Sequence, residues 1–266
     1  MASRFICALA CGAILSFVAA GCSDDSGGTA DAKTLVDQAL LPDTGAPDLP
    51  ALPDMPELPD TGGAKCEFEW LNAISPQKKV STGAVSTTDI GNGVKETSID
   101  ASAGGTSLEL QNPFVYISLK DGSKVDLDDI AARTSTSWDV AFRRSVIRVN
   151  GGDSGDGSCD VAIVTGTTLD QVTTVPAASE FTTDDFLDEN CVIQTNDAGY
   201  LVTAFGGTTG RWYDFDTTNM KLVPNPDVYV VKTNDGTYVK LEIKDYYDTS
   251  TPPQGGHFTI QWSVLQ

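Results

Sequence analysis

Apolar side chains recur at every second position through most of residues 66–266. In Tyr238–Lys244, for example, the odd-numbered residues are apolar and the even-numbered ones are mostly polar. A period of two places alternate side chains on opposite faces of a strand, whereas a helix repeats its apolar residues every three or four positions. The pattern therefore predicts β-strands that each bury one face.

Turn signals separate several of these segments. Thr233–Gly236 lies between Val228–Lys232 and the alternating segment that starts at Tyr238, and Asp121-Gly122 lies between Phe114–Lys120 and Ser123–Leu127. Because Asp-Gly readily adopts the backbone angles of a tight two-residue turn, both places predict β-hairpins.

The strands are expected to form one domain. In Trp138–Val149 the apolar phase shifts, which predicts a bulge or two short strands. Helix signals are few, and only Asp126–Arg133 and Asp184–Asn190 predict a short helical turn. We expect residues 66–266 to be an all-β domain, a single antiparallel β-sandwich or open barrel with long loops.

The N-terminus has the pattern of an export signal. Arg4 precedes the apolar run Phe5–Ala20, which is shorter than the ~20 residues of a membrane span. Small residues lead into Cys22, as in the lipobox that a lipoprotein signal peptidase cleaves. Residues 1–21 are predicted to be the signal peptide, and acyl chains on Cys22 would anchor the protein to the membrane. The alternative is a plain secretory signal with an incidental cysteine.

Residues 22–65 are predicted to be a disordered leash. Proline recurs about every third residue between Pro42 and Pro59, with acidic residues in between. Proline removes backbone hydrogen-bond donors and like charges repel, so the tract cannot bury a core. This Pro/Asp-rich segment would hold the domain away from the membrane.

Three cysteines remain after Cys22 in what would be an oxidising compartment. Cys159 and Cys191 both begin strand-like segments, so we expect these two to form a disulfide and Cys66 to be left over. The chain has no Cys-x-x-Cys motif, which argues against a zinc site and against thioredoxin-type redox chemistry.

Charge and histidine content narrow the range of functions. With 37 acidic and 17 basic residues the net charge is −20, which repels nucleic acid, so no nucleic-acid partner is expected. His257 is the only histidine. A metal site built from several histidines is therefore excluded, and a catalytic triad would have to use His257. No Gly-x-Ser-x-Gly motif is present, and we expect neither an enzyme nor a metal centre.

Four segments of the domain follow one another in the order Trp138–Gly157, Gly210–Asp216, Tyr229–Asp248 and Gly255–Leu265. Together they resemble the HmuY family of surface haem-binding lipoproteins. The resemblance implies a lipid cysteine followed by one all-β domain. It also implies haem capture outside the cell and delivery to an outer-membrane receptor. The protein would be lipid-anchored in the outer membrane, on its periplasmic face or at the cell surface.

The resemblance does not transfer a complete set of haem ligands. Family members hold the iron with histidines or, in some relatives, methionines, and this domain offers only His257 and Met220. Arg143 stands where many relatives have a histidine, and arginine has no lone pair for iron. Arg143 and Arg144 are instead candidates to pair with haem propionates. The competing interpretations are a solvent-facing His257, a gap-filling Met220 and arginines that offset the acidity.

Two hypotheses follow. The first is an exported, lipid-anchored HmuY-like binding protein that captures haem or a related porphyrin and passes it to an outer-membrane receptor. The alternative is a surface interaction or adhesion module of the same fold that binds no haem, which the incomplete ligand set favours.

Overall fold

The computed structural model describes residues 66–197 and 199–265. The predicted signal peptide, Cys22 and the predicted leash lie outside these residues. None of the helices in the described segments has the length and apolar character that a membrane span requires.

Most of the described elements are β-strands. In chain order they are β1 (Val85–Gly91), β2 (Val94–Asp100), β3 (Val115–Ser118), β4 (Ser123–Val125), β5 (Val140–Arg143), β6 (Val146–Val149), β7 (Asp160–Thr165), β8 (Tyr213–Asp216), β9 (Lys221–Pro224), β10 (Asp227–Lys232), β11 (Tyr238–Tyr247) and β12 (Gly255–Val264). The helices are α1 (Glu67–Ile74) and α2 (Asp129–Thr134), with short 3₁₀ segments at Glu109–Gln111, Gly152–Ser154, Ala178–Glu180 and Ala204–Thr209.

The strands form two main sheets and one separate hairpin. The larger sheet has the order β1-β2-β12-β11-β10-β7, the smaller one has the order β4-β3-β5-β6, and β8 pairs with β9 alone. All of these pairs are antiparallel. The all-β prediction is confirmed, as are the two hairpins with Asp-Gly turns. The phase shift in Trp138–Val149 marks two short strands, β5 and β6.

The main core lies between the two sheets. Alternate residues of both sheets meet there, including Ile117, Phe142, Leu241, Ile260 and Trp262, all 1% exposed or less. Burial of apolar surface on this scale is the main stabilising contribution to such a fold. A separate apolar cluster covers the outer face of the larger sheet, where the loop that carries Leu169 and Val172 packs on Val228 and Val230.

Two helices cover the outer face of the smaller sheet. Trp70 and Ile74 are four residues apart and so share the buried side of α1, where they join a cluster with Trp138 and Phe186. Asp128 caps the N-terminus of α2, and its carboxylate accepts a hydrogen bond from the Ala131 N–H at 2.7 Å. The helical turn predicted at Asp126–Arg133 is confirmed. The one predicted at Asp184–Asn190 is wrong, because that segment has no helix.

The predicted pairing of Cys159 with Cys191 is wrong. Cys191 is bonded to Cys66, 125 residues away in sequence and 5.1 Å away between Cα atoms. Cys159 is a free thiol that is fully buried between the sheets, where its Sγ lies 3.6 Å from Asp139 Oδ1. A position at the start of a strand does not determine which way the side chain points. The Cys159 thiol points into the core and Cys191 lies beside α1.

Candidate functional site

Arg143, a predicted propionate partner, is buried beneath α1. Its side chain is 5% exposed, its guanidinium stacks 4.1 Å from the centre of the Phe114 ring, and its Nη2 donates to the Ile74 carbonyl at 2.7 Å. Burial lowers the pKa of Arg143 to about 10, so the group is still charged at neutral pH. The structure therefore gives Arg143 a packing role and does not present it to a ligand.

Arg144, the second predicted propionate partner, is also occupied. It follows β5 in a left-handed conformation, with φ of 49°, and its backbone N–H donates to the Ala101 carbonyl at 2.8 Å. Its guanidinium donates to the Gly255 carbonyl and, at 3.0 Å, to Thr106 Oγ1. Its Nε lies 3.6 Å from the Glu109 carboxylate. Arg144 thus ties the start of β12 to the loop before β3.

His257 lies on the outer face of β12. It is in register with Asp100 of β2, and its Nδ1 lies 3.6 Å from Asp100 Oδ1. The next residue, Phe258, points to the opposite face and packs on Trp212 and Tyr246. Within the described residues, no group of three or more His, Cys, Asp or Glu side chains is arranged to hold a metal ion.

Met220 lies in the turn between β8 and β9, and its side chain is 71% exposed. Two other apolar residues of this hairpin, Phe215 and Val223, are 44% and 47% exposed. Exposed apolar groups on one element mark a candidate binding surface, and the register of β8 and β9 turns Phe215 and Val223 to opposite faces of the hairpin. The hairpin thus presents a thioether and an aromatic ring to solvent.

The hairpin rests on an aromatic cluster at the ends of β11 and β12. The Trp212 ring lies 4.9 Å from the Tyr213 ring and 5.5 Å from the Tyr246 ring. The Leu222 N–H donates to the Tyr247 hydroxyl at 2.9 Å, which fixes β9 to β11. Burial raises the pKa of Tyr246 above its ordinary value, and the side chain is packed within the cluster and is not presented to solvent.

A buried carboxylate that the sequence analysis did not single out organises the loops beside β6. Asp184 accepts hydrogen bonds from the Val149 N–H at 3.0 Å, from the Ala204 N–H at 2.8 Å and from the Ser154 hydroxyl. Arg148 donates to Ser154 Oγ at 2.9 Å. Desolvation raises the pKa of Asp184 to about 6. Nothing in the local pattern Thr-Thr-Asp-Asp-Phe distinguishes this aspartate from its exposed neighbour.

The structure does not bring the four predicted haem-binding residues together. Arg143 and Arg144 are engaged in packing and hydrogen bonds, and His257 pairs with Asp100 on the outer face of the larger sheet. Met220 alone is freely exposed, and a thioether is an established axial ligand of haem iron. The residues therefore fit a porphyrin held at an open surface by one thioether, and they do not fit an enclosed site with two axial ligands.

Comparison with known proteins decides the family. The sequence model of the HmuY protein family matches residues 111–262, which is more than half of the chain. The chain belongs to the HmuY family. The match reaches from β3 into β12 and so includes strands of both sheets and the hairpin that carries Met220.

Solved structures of other proteins match part of this chain. The apo HmuY analog of Tannerella forsythia is 18% identical, with a TM-score of 0.45 over 70% of this chain and 98% of the other. Apo PinO from Porphyromonas gingivitis is 13% identical, with a TM-score of 0.41 over 71% of this chain and 99% of the other. No curated protein matches this chain.

Proposed function

We propose that this HmuY-family protein is an exported, lipid-anchored binding protein that captures haem or a related porphyrin and passes it to an outer-membrane receptor. The exposed thioether of Met220 on the β8–β9 hairpin is the observation that carries the proposal. No enzymatic activity is proposed.

The hairpin would bind the porphyrin at its exposed face. The Met220 sulfur would donate a lone pair to the iron, and the Phe215 ring, 44% exposed, would pack on the flat apolar ligand. Lys221 follows Met220 directly, and its ammonium lies 5.2 Å from the centre of the Tyr247 ring. A partly exposed cation at this position is suited to pair with a propionate.

Arg143 and Arg144 would act at a distance from the ligand. Arg143 holds α1 on the smaller sheet through Ile74, and Arg144 holds the start of β12 through Gly255. Arg144 would keep the start of β12, next to the aromatic cluster, in place, and Arg143 would keep α1 on the smaller sheet. We propose no ligand contact for either arginine or for His257.

The N-terminal features give the proposed location. Removal of residues 1–21 and acylation of Cys22 would attach the protein to the outer membrane, and residues 22–65 would connect the anchor to the domain. A binding domain on such a leash could meet its ligand and its receptor without release from the membrane.

A haemin titration of the complete mature chain tests the function. Addition of protein at micromolar concentration should shift and sharpen the Soret band of haemin with a saturable endpoint. The His257→Ala variant should give the same curve, because His257 lies on the opposite side of β12 from the aromatic cluster. An unchanged Soret band with the unmodified protein would remove haem as the ligand.

A further inference from the structure

A second concave site lies away from the β8–β9 turn. The 3₁₀ segment Ala204–Thr209 crosses the β7 edge of the larger sheet and encloses a cleft of about 550 Å³. Its lining includes Ile163, which is partly exposed, and Phe205 and Tyr229, whose rings are almost fully buried and lie 4.9 Å apart between centroids. This volume is within the range of sites that bind small molecules.

Two glycines let the 3₁₀ segment approach β7. At Gly207, where φ is 51°, an added Cβ would lie 2.9 Å from Ile163 Cδ1. At Gly206 it would lie 2.9 Å from the Arg211 backbone nitrogen. A side chain at either position would meet the wall of the cleft, so the glycines keep its floor open.

Two hydrogen-bond donors at the cleft have no partner in the described part of the chain. Tyr229 is only 1% exposed overall, and its hydroxyl makes no hydrogen bond within segments 66–197 and 199–265 but is still reached by solvent at the cleft. The Nε of Arg211 is buried and is likewise unpaired within those segments. The Arg211 Nε is withdrawn from water without a partner, which costs free energy that a bound oxygen acceptor would recover.

The rim of the cleft is acidic. Glu180, Asp185 and Asp227 line it, and the one basic lining residue, Arg211, already pairs with Asp197. Together with the net charge of −20, this rim favours a cation and repels an anion. The two propionates of haem have the wrong sign for this cleft, so it is distinct from the proposed porphyrin surface at Met220.

We propose that this cleft binds a small organic cation that has an apolar body and an oxygen acceptor. The apolar body would lie on Ile163 and Val202, the partly exposed apolar residues of the lining. The acceptor would take the hydrogen bond from the Tyr229 hydroxyl, and the positive charge would lie toward Asp185 and Glu180. This site goes beyond porphyrin binding and uses none of the residues proposed for it.

Calorimetric titration of the mature chain with two matched probes tests the sign of the charge. Phenylalaninamide carries an aromatic ring, a carbonyl acceptor and an ammonium, whereas N-acetylphenylalanine carries the same ring and an anionic carboxylate. Phenylalaninamide should bind about tenfold or more tightly than N-acetylphenylalanine, because a single ion pair at a partly buried site contributes on this scale. Equal or tighter binding of N-acetylphenylalanine, or no binding of phenylalaninamide, would overturn the proposal.

Two conservative variants test the location. Tyr229→Phe keeps the ring and removes the hydroxyl, and it should weaken phenylalaninamide about threefold to tenfold, as expected for one hydrogen bond. Asp185→Asn should reduce the preference for the cation, whereas Glu189→Gln, at an exposed carboxylate outside the cleft, should leave it unchanged. Wild-type binding in both cleft variants would show that phenylalaninamide binds elsewhere. Haemin titrations of the same variants should match the unmodified protein.

Discussion

The Nη2 of Arg143 donates a hydrogen bond of 2.7 Å to the carbonyl oxygen of Ile74, which joins the last residue of β5 to the last residue of α1. The resemblance to the HmuY family suggests that Arg143 contacts the ligand. In this chain the helix α1 covers the Arg143 side chain, and its guanidinium lies on the Phe114 ring.

Replacement of Arg143 should therefore affect stability and leave ligand binding intact. Arg143→Ala leaves the Ile74 carbonyl without its partner and removes the packing on Phe114, at a cost of about 2–4 kcal/mol in the free energy of unfolding. Urea unfolding measures this loss. Lys78→Ala, at an exposed lysine near α1, is the control and should change the free energy by less than about 0.5 kcal/mol. A variant as stable as the unmodified protein would contradict the role given to Arg143.

The Cys66–Cys191 disulfide should make a measurable contribution to stability. Closing a loop of 125 residues is worth about 5 kcal/mol in the chain-entropy model, so Cys191→Ser should lower Tm under non-reducing conditions. Dithiothreitol should lower the Tm of the unmodified protein to the same extent. Alkylation followed by peptide mapping is the direct check, and Cys159 should be labelled only after denaturation. A Cys159–Cys191 peptide would contradict the structure.

Asp184 predicts a specific dependence of stability on pH. Because its pKa in the folded protein, about 6, is above its ordinary value of 3.8, the native state binds the proton more tightly than the unfolded chain does. This contribution to stability is complete below about pH 4 and is lost as the pH rises through 6, with a total of about 3 kcal/mol.

Urea unfolding between pH 4 and 7 tests this prediction. The stability of the unmodified protein relative to Asp184→Asn should fall as the pH rises across that window. The free energy of unfolding of Asp126→Asn, at an exposed carboxylate, should change with pH in the same way as that of the unmodified protein. A constant difference between the unmodified protein and Asp184→Asn would show that Asp184 does not titrate in this range.

The lipid anchor remains a prediction from the sequence, and it has a simple test. Cells that express the protein and are supplied with labelled palmitate should incorporate label into it, and Cys22→Ala should abolish incorporation. The unmodified protein should partition into detergent, and the variant should not. Label retained by the Cys22→Ala variant would place the modification elsewhere.

The strands could be predicted from the sequence because they depend on local chemistry. The alternation in Tyr238–Lys244 and the turn at Asp121-Gly122 both specify structure through neighbouring residues. The site depends on contacts between distant residues, and these could not be predicted. The partner of Cys191 is 125 residues away, and Arg143 is buried by a helix about 70 positions earlier. For Met220 the sequence allowed both a ligand and a packed residue, and its 71% exposure favours the ligand.

The haemin dissociation constant of Met220→Leu, measured beside that of the unmodified chain, tests the central claim most directly. Leucine keeps the size and apolar character of the side chain and removes the sulfur. A change in the dissociation constant therefore reports on the bond between the Met220 sulfur and the haem iron. The account predicts that Met220→Leu binds haemin about tenfold or more weakly, whereas His257→Ala binds within about twofold of the unmodified protein. Equal affinity of Met220→Leu and the unmodified chain would contradict it.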